Sequence, residues 1–125
     1  MKHNPFFIFH GSIYAIFALG LFFLPSVIWP LYGLEINDQY AYFLSQHTSI
    51  FLGGLSAVSF LFNAVKDKQA VKQLVKALLF TNLLGILITS YACFQGIFVG
   101  FGWSDPLFFT ILSILSFLQL KRLNQ

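Results

Sequence analysis

The sequence predicts an all-α fold, an integral membrane four-helix antiparallel bundle with both termini cytoplasmic. Four hydrophobic runs, at about 5–29, 41–64, 73–94 and 103–120, lie near the ~20 residues of helix that cross a hydrocarbon core. Composition agrees: 58% of the 125 residues are hydrophobic and 9% are charged, against about 25% charged in soluble domains. So few charges cannot cover a water-facing surface. The bases also alternate with the runs. All seven Lys and Arg residues, namely Lys2, Lys66, Lys68, Lys72, Lys76, Lys121 and Arg122, fall on one side of the pattern. The first connection carries Glu35 and Asp38 without a base, and the last carries only Asp105. Positive flanks face the cytoplasm. A chain of this length is expected to form one domain, 1–125, and short connections favour up-down-up-down packing.

The first span is expected to carry a kink or a tilted last turn at Pro25 and to close at Pro30, because proline lacks the backbone donor and clashes with the preceding turn. Trp29 and Tyr32 sit where interfacial anchors belong. Residues 31–39 form an exposed loop in which Gly33 can end a helix and Asn37-Asp38 can open the next. In the second span Ser45, Ser49 and Gly53 recur every four residues, and Ser56 and Ser59 lie near the same side. Such a ridge of small side chains lets another helix come close. The polar turn 63–72 leads to the third span, where the stems of Lys72 and Lys76 can snorkel to headgroups. Asn82 lies deep in this span and needs a partner, either the serine ridge or its own mate in a dimer. The connection 95–105 is too apolar for a fully wet loop. Asp105-Pro106 reads as an N-cap followed by proline at the first helical position. The last span is short, so it stands upright or takes Trp103 into the helix.

Several function classes are excluded. The net charge of +3 does not point to nucleic acid, since the bases flank hydrophobic segments and form no basic domain. Membrane lipids are the expected partners, together with a homo-oligomer or a larger membrane partner. Cys93 is the only cysteine, which rules out an intramolecular disulfide and a multi-cysteine metal site. Lys2 and His3 resemble the start of a signal peptide, but the apolar run 6–24 exceeds the usual core of about 7–15 residues. Ala15 and Ala18 lack cleavage spacing, so the segment is expected to remain as a helix.

The chemistry-bearing residues are few. His10 and His47 sit on neighbouring helices but should differ in depth by roughly 10–15 Å, too far for one haem iron; no cofactor, metal or catalytic residue is assigned. His10 reads as a hydrogen-bonded inner residue with Asn63 as its partner. Ser45-Gln46-His47-Thr48-Ser49 is a polar run longer than one helical turn, so its members cannot all face one neighbour. Polar residues at such depth mark cavities or pathways. With Thr89, Ser90 and Cys93 at a similar level, the candidate ligand-binding residues are Gln46, His47, Tyr91 and Asp105, around a pocket opening outward between the second and third spans. The candidate packing residues are Ser45, Ser49, Gly53, Ser56 and Asn82.

Small multidrug exporters also have four short spans, but their central feature is a buried glutamate in the first helix, and no Asp or Glu lies inside any span here. The chain resembles small bacterial four-helix membrane proteins of the broad DoxX-like group. That resemblance is carried by Leu24-Pro25, Leu31-Tyr32-Gly33-Leu34, the Gly/Ser-rich second helix and the Lys-rich middle turn. It implies a multi-pass protein of the bacterial inner (plasma) membrane and transfers no functional residue. The function expected is non-enzymatic: binding a small apolar or lipid-like ligand, or acting as an accessory subunit. The alternatives are an oligomeric small-molecule transporter with water access near Asn82, and a membrane enzyme using His47 and Cys93.

Overall fold

A computed structural model describes residues 4–124. The flanking base Lys2 and its neighbour His3 lie outside the described residues. The helices are Pro5–Phe23 (α1), Pro25–Leu31 (α2), Gln39–Phe62 (α3), Lys68–Phe94 (α4) and Ser104–Leu123 (α5), with a 3-10 turn, Gly100–Trp103, ahead of α5.

The fold is all-α, but the four-helix bundle is not what forms. Among the described residues five α-helices replace four, because the first run breaks at Leu24. Three helical segments among the described residues are long and apolar enough to cross a membrane: Pro5–Phe23, Lys68–Phe94 and Gly100–Leu123. α3 has the length, at 24 residues, but its polar run and its Gly and Ser residues dilute its apolar character. The chain is a multi-pass membrane protein, with three such helices among the described residues. It divides into two compact units, Met1–Ala64 and Val65–Gln125.

In the first unit, the Asn4 side chain caps α1 by accepting from the Phe6 amide at 3.0 Å, with Pro5 next in line. The helix stops at Leu24, whose backbone (φ −128°, ψ 42°) is not helical. The cause is Pro25, which has no N–H for the Leu21 carbonyl four residues earlier. The expected kink is therefore a full break. Pro30 does not close the segment; it lies inside α2. α2 ends one residue later in a Schellman turn, where Leu34 N–H reaches the Trp29 carbonyl, Gly33 N–H reaches that of Pro30, and Gly33 takes φ 87°. Asp38 caps α3, accepting from Ala41 N–H at 2.8 Å.

α3 runs antiparallel to α1. At one end the Asn63 side-chain oxygen accepts the Asn4 amide, and further along Ser56 Oγ donates to the Gly11 carbonyl at 2.7 Å. The buried residues of α3 are all serines: Ser45, Ser49, Ser56 and Ser59. Opposite them α1 buries Phe7, His10, Tyr14 and Leu21. Small hydroxyl side chains on one helix thus receive large rings on the other.

In the second unit, α4 begins five residues before the predicted 73, because Asp67 caps it through Gln69 N–H at 3.1 Å. It ends in a second Schellman turn, with Ile97 N–H on the Ala92 carbonyl and Gly96 at φ 76°. The turn Gly100–Trp103 then feeds α5. Trp103 is the N-cap of α5 and Asp105, the predicted cap, sits in its first turn, two positions past the observed cap. The 3-10 turn takes over part of the entry that Asp105-Pro106 was expected to make. α5 packs antiparallel on α4: Gly85 faces the Phe109 ring, and Cys93 Sγ lies 3.7 Å from the Gly102 carbonyl.

Candidate functional site

The polar run of α3 separates by direction. Ser45 and Ser49 are buried, Gln46 is half-buried, and His47 and Thr48 are exposed. The first two members of the run act on the broken end of α1. Ser45 Oγ donates to the Leu21 carbonyl at 2.7 Å, the acceptor that Pro25 leaves without its helical donor. Trp29 Nε1 in turn donates to Ser45 Oγ at 2.8 Å. Gln46 Nε2 donates to the next carbonyl, that of Phe22, at 3.2 Å. A helix end leaves its last carbonyls without intrahelical donors, and here two side chains of a neighbouring helix supply them. Ser49 Oγ bonds back to the Gln46 carbonyl at 2.6 Å.

His47 faces away from this junction. Its ring lies between Phe43 and Phe51, at centroid distances of 5.9 and 5.5 Å, one turn to either side. His10 is fully buried in α1, stacked on Tyr14 at 4.7 Å and 5.6 Å from the Phe6 ring. The pairings Ser45–Leu21 and Ser56–Gly11 fix the register of the two helices. They set His47 about nine residues along the axis from His10, or about 14 Å. No single haem iron reaches both.

Beside the start of α3 lies an open cleft of about 340 Å³, near the lower limit of small-molecule pockets, about 300–1,000 Å³. Asn37, Asp38, Gln39 and Gln46 give it polar atoms, and Ile36, Tyr42 and Phe43 give it apolar surface. Asp38 is committed to the cap of α3, and Asn37 Nδ2 donates to Glu35 Oε2 at 3.0 Å. Of the four candidate ligand residues, Gln46 lines this cleft and His47 lies one residue away on the exposed face. Tyr91 and Asp105 belong to the second unit, where Tyr91 is exposed near the end of α4 and Asp105 is half-buried in the first turn of α5. Ile36, Asn37, Gln39, Tyr42 and Phe43 did not stand out as lining residues. Asn37 reads in the sequence as part of a helix start. Gln39, Tyr42 and Phe43 share one face of α3 with Gln46, whereas Ile36 and Asn37 reach it only through the way the loop turns into α3.

Of the packing candidates, Ser45, Ser49, Ser56 and Asn82 are all buried. Gly53 allows close approach, since a methyl group there would stand 3.8 Å from Ala18 Cβ. Asn82 is fully buried in the second unit, and the α4–α5 register sets it level with Leu112. The Cys93 thiol is buried against Gly102. Among the described residues no group of three or more His, Cys, Asp or Glu is placed to hold a metal ion. Comparison with protein-family models, with curated proteins and with solved structures finds no match.

Proposed function

We propose that this is a non-enzymatic membrane protein that binds a small apolar or lipid-like molecule in the cleft at the start of α3. One observation carries the reading: Gln46, in the polar run of α3, shares the cleft with Tyr42, Phe43 and the side-chain amides of Asn37 and Gln39. That lining suits an amphiphile, with carbonyl or hydroxyl groups on the amides and an apolar body along the rings. Tyr91 and Asp105 are further ligand candidates on the second unit. Service as an accessory subunit to a larger membrane partner or within a homo-oligomer is the companion reading. It is favoured by the exposed His47 and Thr48, polar side chains that gain from protein cover in a membrane.

We further propose a bacterial inner-membrane location with both termini cytoplasmic, which requires α3, paired antiparallel with α1, to return across the membrane beside the three more apolar helices. Within the first unit α3 returns the chain to the end where α1 starts, as the Asn4–Asn63 bond requires. Within the second unit the lysines of α4 and the Lys121-Arg122 pair share one end. Bases at those ends and acids at Glu35, Asp38 and Asp105 follow the positive-inside pattern. The likeness to the DoxX-like group supports the same setting.

The test is mass spectrometry of the full chain, extracted gently with whatever it carries. A discrete co-purifying molecule, lost in Gln46→Ala but kept in Thr48→Ala, supports the cleft. A chain carrying only bulk lipid, unchanged in Gln46→Ala, contradicts it.

A further inference from the structure

We propose that α3 pairs with the α3 of a second copy of this chain about a two-fold axis along the membrane normal. The contact is its outer face, formed by Phe43, His47, Ile50, Gly54, Ala57 and Leu61. The pairing is a specific form of the homo-oligomer reading above and rests on it, and on the return of α3 across the membrane.

The two faces of α3 differ in company. Ser45, Ser49, Ser56 and Ser59 are buried. Two of them bond to α1, Ser45 to the Leu21 carbonyl and Ser56 to that of Gly11. These bonds fix which way the helix is turned. The six residues of the outer face are all exposed. They recur in alternating steps of four and three residues, the repeat by which one helix seams against another. At about 100° per residue they fall within an arc of about 80°, roughly opposite the buried serines.

Composition and chemistry point to a second copy as the cover of that seam. Among the described residues three segments are apolar enough to cross a membrane, and α3, with 24 residues, is not one of them. Protein therefore suits its outer face better than lipid does. His47 lies in the seam between the rings of Phe43 and Phe51, and an imidazole inside a membrane calls for a polar partner. All copies of one chain insert the same way. A two-fold axis along the membrane normal then sets each seam residue beside its own counterpart, at equal depth. A neutral imidazole carries one donor and one acceptor, so a second His47 offers what the first needs. A single polar residue in such a seam also fixes the register. Gly54 takes the next equivalent position of the repeat, and a methyl group there would meet nothing within 4 Å. With Ala57 after it, Gly54 lets two backbones come close. Phe43, Ile50 and Leu61 supply apolar contact along the rest of the seam. Phe43 also lines the cleft at the start of α3, so the second copy stands at the rim of that cleft.

The experiment places single cysteines in the full Cys93→Ser chain, reconstituted into vesicles at a low protein-to-lipid ratio and oxidised with copper phenanthroline in air. Gly54→Cys and Ala57→Cys should form disulfide-linked dimers severalfold faster than Thr48→Cys and Leu55→Cys, which point away from the seam. Gly54→Leu should abolish the dimer of the Ala57→Cys chain. It should leave the helices intact by circular dichroism, since the fold has open space at that position. His47→Leu should weaken association roughly three- to tenfold, the range of one hydrogen bond between membrane helices. His47→Gln keeps a donor and an acceptor and should recover most of that loss. Photobleaching of single labelled chains counts copies without reference to the seam. Two copies per particle with seam-selective disulfides would support the proposal. Two copies with equal yields at all four positions would overturn the seam while keeping the homo-oligomer reading. One copy per particle, without disulfide dimers, would overturn both. An undiminished dimer in Gly54→Leu would also overturn the seam.

Discussion

Ser45 donates its hydroxyl to the Leu21 carbonyl across the α1–α3 interface, at 2.7 Å. Pro25 is the reason that carbonyl needs a donor from outside its own helix. Break and repair are thus encoded 20 residues apart, in a proline on one helix and a serine on another. Ser45→Ala should cost about 1–2 kcal/mol, the range of a lost buried hydrogen bond tempered by the small values found between membrane helices. Restoring the helical donor with Pro25→Ala should shrink that cost. A double-mutant cycle read by reversible unfolding in mixed micelles measures the coupling. An unchanged Ser45→Ala penalty in the Pro25→Ala background would show that the two sites are independent.

Gly85 is the tightest point of the second unit. A methyl group there would lie 2.5 Å from a Phe109 ring carbon, whereas at Gly53 the nearest atom is Ala18 Cβ at 3.8 Å. Gly85→Ala should therefore destabilise by about 1–3 kcal/mol, and Phe109→Leu should relieve part of that. Gly53→Ala should be close to neutral. Gly53→Leu should disrupt the α1–α3 interface. Thermal unfolding of the four variants ranks them.

His47 and Gln46 are adjacent and should behave differently. His47→Gln leaves the α1–α3 junction untouched, so folding stability should stay within about 0.5 kcal/mol of wild type. Gln46→Leu removes both the Phe22 bond and a polar group of the cleft, so it should lower stability and ligand occupancy together. Co-purified ligand, quantified by mass spectrometry alongside unfolding midpoints, separates the two effects.

Membrane orientation is open to a labelling test. In a Cys93→Ser background, a cysteine at Gln69 should react only with reagents that reach the cytoplasm, and one at Asn37 only with reagents outside. The reverse pattern would invert the proposed orientation.

Much of this architecture is legible in the residues, because it depends on local chemistry. Asp38 opens α3 and Gly33 closes α2, each through a nearby backbone group. The serine spacing of α3 shows which face packs, and Ser45, Ser49, Ser56 and Ser59 all turn inward. The length of the polar run required it to divide among directions, and it does. The number of spanning helices was not legible. Pro25 allows a kink or a break, and the choice rests on whether Ser45 and Gln46 lie near enough to serve the freed carbonyls. α3 matches the others in length, while its polar content sets it apart from them. Gln46 is visible as a costly polar residue, and Gln39 and Tyr42 precede it at helical spacing on α3, but Asn37 joins them only through the loop. The capping role of Gln46 was hidden because the acceptor, the Phe22 carbonyl, is a backbone group that no side-chain pattern marks.

The most direct test of the proposed function is a high-resolution structure in lipid, prepared without stripping bound molecules. It predicts ordered density between Asn37, Gln39, Phe43 and Gln46, with a polar atom on at least one of the amides. A cleft closed by its own side chains, with Gln46 held on the Phe22 carbonyl and nothing bound, would contradict it.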